Sequence, residues 1–358
     1  MKFRIERDPL GEVRVPIDAY YGAQTRRAVE NFPISGLTAP PELVVATVHI
    51  KKAAADANAA LGRLAPDIAN AIIRAADEVL AGQLRDQFVV DVYQAGAGTS
   101  HNMNTNEVLA NRAAELLGDR RGKYARVHPN DHVNMGQSTN DVFPTATRLA
   151  LLAMGGPLRQ AATDLAQALS DKSGALAGVL KTGRTHLQDA VPITLGQEFS
   201  GYAANVEHAT ASLTAASKQL LELNLGATAV GTGLNAGNDY TTMAIERLAQ
   251  YTGMPVRSAA NLFRVTQSMT GRITAENTSV HGRTVDTAAT VLHALGIPVS
   301  RELAGTPLLP LFNAEFLRRY PVRQVASYGA PSFQRQPRSG QPLDQEMIDR
   351  LRSLGYVK

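Results

Sequence analysis

The chain has 358 residues, 44% of them hydrophobic and 19% charged, with a formal net charge of +4. The absence of cysteine excludes disulfides, cysteine zinc sites and thiol catalysis, and fits a reducing cytosol. Basic residues are scattered, which argues against a nucleic-acid partner, and no apolar run approaches the ~18 residues of a membrane span. The charged opening MKFRIERDPLGEV has no apolar stretch, so no signal peptide and a cytoplasmic location are expected. Frequent alanine, no tryptophan and 5% aromatics favour closely packed helices over a β-sandwich.

Residues 1–41 are punctuated by Pro9, Gly11, Pro16, Gly22, Pro33, Gly36, Pro40 and Pro41 and are expected to form a mostly irregular arm. Residues 42–61 predict a helix, with Ile50, Ala54, Ala57 and Leu61 at helical spacing. Pro66 is placed to open the next helix, along which Ile68, Ile72, Ala75, Ala76 and Val79 continue a 3.6-residue stripe. An apolar patch, Phe88 to Val92, leads into Gly96-Ala97-Gly98. A helix is expected over 104–117, a polar loop over 119–140, and a helix from Ala146 to Met154. Gly155-Gly156-Pro157 predicts a kink or restart there. Residues 181–196 are expected to be a turn between helices. In 195–223, Phe199, Val206, Leu213 and Leu220 recur every seven residues, as in a helix packed nearly parallel to others. A shorter helix spans Asp239 to Tyr251. Around residue 266 the texture changes, with Pro298, Pro307, Pro310 and Pro321 and the linker-like GAPSFQRQPRSGQP at 329–342. Leu343 to Leu354 predicts one short helix.

Three polar stretches interrupt the alanine-rich helices. The first is Gly96 to Val108, GAGTSHNMNTNEV. The second is His128 to Thr145, HPNDHVNMGQSTNDVFPT. The third is Lys181 to Gly196, with Arg184, Thr185, His186, Gln188 and Asp189 close together. Each offers hydrogen bonds with little formal charge, which suits a carboxylate ligand. Two bland alternatives stand beside this. Asn102, Asn104 and Asn106 also suit helix capping and turns, and Arg184 with Asp189 also suits a solvated pair with His186 a bystander.

These stretches, with YYGAQTRRAVENFPISG at 20–36 and LGATAVGTGLN at 225–235, resemble the aspartase and class II fumarase group of lyases over about residues 1–265. Ala97, Thr99-Ser100 and Gln137-Ser138-Thr139-Asn140 look more like aspartate ammonia-lyases than fumarases. The resemblance implies a mainly α fold. Its parts are an N-terminal helical lyase domain (1–140), a partial, truncated long-helix bundle (141–265) and an unrelated, irregular mixed C-terminal segment (266–358). It implies anti elimination, L-aspartate giving fumarate and ammonia, with an aci-carboxylate dianion formed on the way and no metal or organic cofactor. Fumarate hydration is the related alternative. By the match, Thr185 and His186 are catalytic, Thr99, Ser138, Thr139 and Asn140 bind the substrate dicarboxylate, and His128, Asn130 and Asp131 form a second anion site. The family implies a homotetramer whose sites draw on three subunits.

The family's G-S-S-x-M-P-x-K-x-N loop, which carries the serine base and the carboxylate-gripping Lys and Asn, has no equivalent in 236–358; Ser268, Ser279 and Ser300 lack its flanks. This supports a second reading, an impaired lyase fragment that only binds dicarboxylates. Residues 280–358 resemble the C-terminal end of alkaline-phosphatase-superfamily phosphodiesterases, as in a fusion of two gene fragments. Only His281 and Asp286 would be metal ligands there, too few for a two-metal site.

Overall fold

Two strands, in place of the irregular arm expected from its prolines, open the chain. β1 (Phe3–Asp8) and β2 (Gly11–Pro16) form an antiparallel hairpin in register from Phe3↔Pro16 to Asp8↔Gly11. Pro9 sits in the turn and Pro16 at the last strand position, so neither removes a donor the ladder needs. Val13 and Val15 point inward onto Ala19 and Ala23. Helix α1 (Ala23–Asn31) follows. The computed structural model describes residues 2–268, together with 299, 300, 318, 321, 324 and 325. By contacts the chain divides into Met1–Gly271 with Gln345–Lys358, and Arg272–Asp344.

Alanine decides how the next helices pack. α2 (Pro41–Ala60) and α3 (Pro66–Leu80) each begin on a proline, where the missing N–H has no partner to lose. α4 (Thr99–Leu116) begins five residues earlier than the apolar periodicity suggests. α2 is buried on two sides. Val44, Val48 and Ala55 join a core with α3 and α4 through Ile72, Val79 and Leu109. Ala46, Ile50, Ala53 and Ala57 join a second core with later helices through Leu149, Tyr240 and Leu248. Small side chains let neighbours approach this central helix from both sides.

α5 (Thr139–Ala175) is 37 residues long, about 55 Å at 1.5 Å per residue. It runs through Pro157, where a kink or restart is expected from the sequence. Gly155 and Gly156 precede Pro157 with no side chains to crowd the turn. The first turns of α5 are buried as far as Ala150; the rest projects as an arm. At its far end comes a β-hairpin, β3 (Leu180–Thr185) and β4 (Gln188–Thr194), where a simple turn is the expectation. The β-branched Thr182, Thr185, Val191, Ile193 and Thr194 favour strands there. α6 (Leu195–Gln219) then returns along α5. Arg159 donates to Ser217 Oγ at 3.2 Å, and Ser173 Oγ to Gly196 O at 2.8 Å, which fixes the pair as antiparallel. The seven-residue stripe Phe199, Val206, Leu213 and Leu220 is half-buried. Leu151, Met154, Leu158, Leu165 and Tyr202 remain exposed on the arm.

β5 (Glu222–Leu223) pairs in parallel with β6 (Arg257–Ser258), flanking α7 (Asn238–Thr252). α8 (Leu262–Gln267) closes this part, capped by Asn261 accepting from Arg264 N at 3.0 Å. Arg148 of α5 is buried and donates to Val265 O (3.1 Å) and Ser268 O (3.0 Å), tying the segment down. In the second unit, β7 (Val299–Ser300) pairs in parallel with β8 (Gln324–Val325). Ser279, His281, Asp286, the linker at 329–342 and the helix expected over 343–354 lie outside the described residues.

Candidate active site

The second polar stretch builds the start of α5. Ser138 is its N-cap: Oγ accepts from Asn140 N at 3.2 Å, and Asp141 Oδ1 accepts from Ser138 N at 3.0 Å, closing a capping box. The other Asp141 oxygen accepts from Gly226 N (3.1 Å) and Thr228 N (2.9 Å). Asn140 Nδ2 donates to Ala229 O at 2.8 Å. One carboxylate and one amide therefore dock the LGATAVGTGLN stretch onto the α5 N-terminus. Burial pushes the Asp141 carboxyl up to about 6, against the pull of those N–H groups and of Lys51.

The first stretch meets the second at the same place. Gly98, with φ +79°, turns the chain into α4, whose first residue is Thr99. Asn102, in the first turns of α4, donates from Nδ2 to Thr139 Oγ1 (3.2 Å) and Asn134 Oδ1 (3.3 Å). The N-termini of α4 and α5 are thus one side chain apart. Both present the positive end of a helix dipole beside Thr99, Ser138, Thr139 and Asn140. Asn102 Oδ1 is buried with no partner.

A cleft of about 980 Å³ opens beside this junction, lined by Ser138, Gln137, His128, Asn130, Asp131 and Glu107 among others. Of the four residues expected to bind the dicarboxylate only Ser138 lines it, and Thr99, Thr139 and Asn140 do not. His128 precedes a wide helical turn, Pro129–Val133, and its Nδ1 accepts from Asn130 N and Asp131 N, each at 3.3 Å. His132 Nδ1 accepts from His128 N at 2.8 Å, and burial holds the His132 imidazole below its usual range. His101, beside Thr99 in sequence, is a packing residue. It is buried, its Nε2 lies 2.9 Å from Thr47 Oγ1, and burial followed by the nearby Lys51 charge pushes it down to about 4.

Thr185 and His186 are not in this cleft within one chain. They sit at the hairpin tip, beyond the far end of α5. His186 (φ +47°) and Leu187 (φ +63°) form a two-residue turn in the left-handed region, and Leu187 is 94% exposed. Arg184 and Asp189 pair at 3.4 Å with both side chains well exposed. Asn-Gly is the pair such a turn ordinarily prefers. Changing His186→Asn with Leu187→Gly is therefore expected to stabilise the fold by about 1 kcal/mol while removing the imidazole. Chemical denaturation of wild type and double variant checks the sign.

Three buried ionisable groups stand out that the sequence motifs do not single out: Glu107, which lines the cleft, and Lys51 and Asp141, which do not. A signal for Lys51 is present: a lysine directly after Ile50, inside an apolar helix register. It is fully buried, and Nζ donates to Asn134 Oδ1 (2.8 Å) and Gln137 Oε1 (2.9 Å).

A family model described as "Lyase" matches residues 11–278. The chain belongs to this lyase family. It is 51% identical over 265 residues to an aspartate ammonia-lyase of a Bacillus species, covering 74% of this chain and 57% of that protein. It is 54% identical over 262 residues to a class II fumarate hydratase of Halobacterium salinarum, covering 73% and 56%. Among solved structures, the fumarate lyase:delta crystallin of Brucella melitensis, crystallised with cobalt, superposes with a TM-score of 0.72 at 46% identity, covering 82% of this chain and 62% of that one. The chain thus spans a little over half the length of these curated relatives. Among the described residues no helix is long and apolar enough to cross a membrane.

Proposed function

We propose that this member of the lyase family binds a four-carbon dicarboxylate where α4 and α5 begin, and acts on L-aspartate by anti elimination to give fumarate and ammonia. The observation that carries the reading is the Asn102–Thr139 hydrogen bond, which brings two polar helix N-termini together beside a cleft. In this reading Thr99, Ser138, Thr139 and Asn140 hold one carboxylate through hydroxyl, amide and backbone N–H donors. The unpartnered Asn102 Oδ1 offers an acceptor for an ammonium group. In this reading a base removes the proton beside one carboxylate, that carboxylate takes up the charge, and ammonia departs from the neighbouring carbon, with donors aimed at the growing charge.

Thr185 and His186 reach such a site only from a second copy. The exposed stripe Leu151, Met154, Leu158 and Leu165 on the arm supports a homo-oligomer, since it leaves apolar surface for another copy to cover. His128, Asn130 and Asp131 line the same cleft and fit a second anion position. Cytoplasmic location and the absence of a resident metal belong to the same reading.

One feature of the sequence favours a second outcome, dicarboxylate binding without turnover: the family's serine-bearing base loop has no equivalent in 236–358. General-base transfer contributes roughly 10²–10⁴ in rate. Fumarate absorbance after adding L-aspartate, with succinate calorimetry on the same protein, separates the two. Turnover above that of His186→Ala supports the lyase, binding alone supports the second outcome, and neither overturns the proposal.

A further inference from the structure

A lysine in the middle of an alanine-rich helix, buried on every side, needs a reason. Lys51 is the one lysine among the described residues that is fully buried. Its hydrogen-bond partners are two neutral amide oxygens, Asn134 Oδ1 and Gln137 Oε1. Asp141, the acid whose charge reaches it, spends its own oxygens on the backbone N–H groups of Ser138, Gly226 and Thr228. The ammonium is therefore a buried cation without a carboxylate in hydrogen-bond contact, lying behind the start of α5.

Because an ammonium only donates, it dictates which way the amides around it face. Asn134 must turn its oxygen to Lys51, so the group that Asn102 presents to that oxygen must be its NH₂. The same NH₂ donates to Thr139 Oγ1. Thr139 accepts there, which leaves its hydroxyl proton to point elsewhere, and Asn102 Oδ1 is left without a partner. Gln137 is fixed in the same way, its oxygen on Lys51 and its NH₂ on Val133 O (3.0 Å) and Met135 O (3.2 Å). Asn134 Oδ1 thus accepts from both Lys51 and Asn102, and the Asn102 NH₂ it holds donates in turn to Thr139 Oγ1.

We propose that Lys51 is the positioning residue of the dicarboxylate site. Its ammonium sets the orientation of Asn134, Asn102 and Thr139, and it supplies the positive charge that the surrounding hydroxyls and amides lack. This rests on the dicarboxylate reading of the site. A bound dianion and a protonated Lys51 then stabilise each other, so ligand binding and the lysine proton are linked. The titratable and charged groups facing Lys51 are His101 from α4 and Asp141 from α5. Tyr240 from α7 faces Asp141, and Asp77 from α3 is taken by Lys52. The segment between the Pro129–Val133 turn and α5 presents only the Asn134 and Gln137 amides to the lysine. Burial already brings the lysine down to about 7, so the linkage falls in an accessible range.

The test is carried out on the full chain labelled with ¹³C-lysine, titrated between about pH 6 and 9 with and without saturating succinate. One lysine ¹³Cε resonance is expected to titrate near neutrality and to move its midpoint up by about one pH unit with succinate, equivalent to about tenfold in affinity between the two protonation states. A lysine-specific signal keeps the response of His128 and His132 apart. Calorimetry on Lys51→Met should give succinate binding weaker by at least about tenfold at the acid end and nearly flat with pH. Where that variant fails to fold, the wild-type resonance decides alone. Succinate binding that leaves the lysine midpoint unmoved overturns the inference and spares the dicarboxylate site, as does a folded Lys51→Met that binds like wild type. No succinate binding by wild type at any pH overturns the dicarboxylate reading and this inference together.

Discussion

Glu107→Ala is expected to lower stability by about 3–4 kcal/mol, read as a shift of the urea midpoint at unchanged slope. The first turn of α1 explains the size. Its N-cap is Gly22, which has no side chain to satisfy the free N–H groups. Glu107, reaching over from α4, accepts from Gly22 N (2.8 Å), Gln24 N (2.9 Å) and Thr25 N (3.0 Å), while Glu6 of β1 accepts from Ala23 N (2.9 Å). Removing Glu107 strands three donors where water has little access, since Glu107 itself is 2% exposed. No side chain is tolerated at Gly22 either. A Cβ there would meet Tyr124 Oη, and would lie 2.7 Å from Glu6 Oε2 and 2.8 Å from Glu107 Oε1.

The same group leaves a signature in pH. Burial pushes the Glu107 carboxyl up to about 7, and Glu6 pushes the same way, against the N–H groups of α1. The folded protein therefore holds a proton that the unfolded chain has released above the usual glutamate value of about 4.3. Its contribution is fully present below that value and is lost as pH rises through about 7. Lys51 acts in the opposite sense. Its depressed ammonium weighs against folding below about 7, and the burden lifts as pH rises toward the ordinary lysine range. Glu107→Ala should remove the part of the first slope near pH 7, leaving the Lys51 slope and the like-signed part from Asp141, whose carboxyl burial brings to about 6.

Helices were legible wherever apolar spacing was regular. The stripes through α2, α3 and α6 needed no tertiary information, and Pro66 marked a helix start because its geometry suits that position; Pro41, assigned to the arm, opens α2 in the same way. Two kinds of element were not legible. The first hairpin was hidden because proline counts as a breaker until one knows that it lies in the turn and at the strand's end. The second hairpin was hidden because its strands are short and polar, and its tip uses His186-Leu187 in place of the usual glycine or asparagine. The first two polar stretches lie at the starts of α4 and α5, since helix starts select Ser, Thr and Asn. What no local pattern gave was the layer behind them. Lys51, Asp141 and Glu107 matter through partners more than eighty residues away in several cases, such as Lys51 with Asn134 and Glu107 with Gly22. Thr185 and His186 show the converse. The sequence marks them as chemical, while a single chain keeps them a helix-length from the cleft.

Gly98→Ala is expected to cost about 3 kcal/mol or more and to abolish dicarboxylate binding, checked by thermal unfolding together with succinate calorimetry. Two penalties add. Gly98 has φ +79°, where a side chain carries roughly 1–2 kcal/mol of steric cost. The added methyl would also fall within the ring of Phe143 on α5. That ring is half-buried and packs edge-on to His101, with centroids 6.1 Å apart. A separation of α4 and α5 at their N-termini relieves the clash and pulls Asn102 off Thr139. A double-mutant cycle distinguishes the two penalties. Phe143→Ala removes the clash and leaves the backbone strain, so Gly98→Ala should cost only about 1–2 kcal/mol in that background. Full additivity of the two substitutions would mean that the helix N-termini are not held together through this contact, and that the distance between Thr99 and Asn140 is set elsewhere.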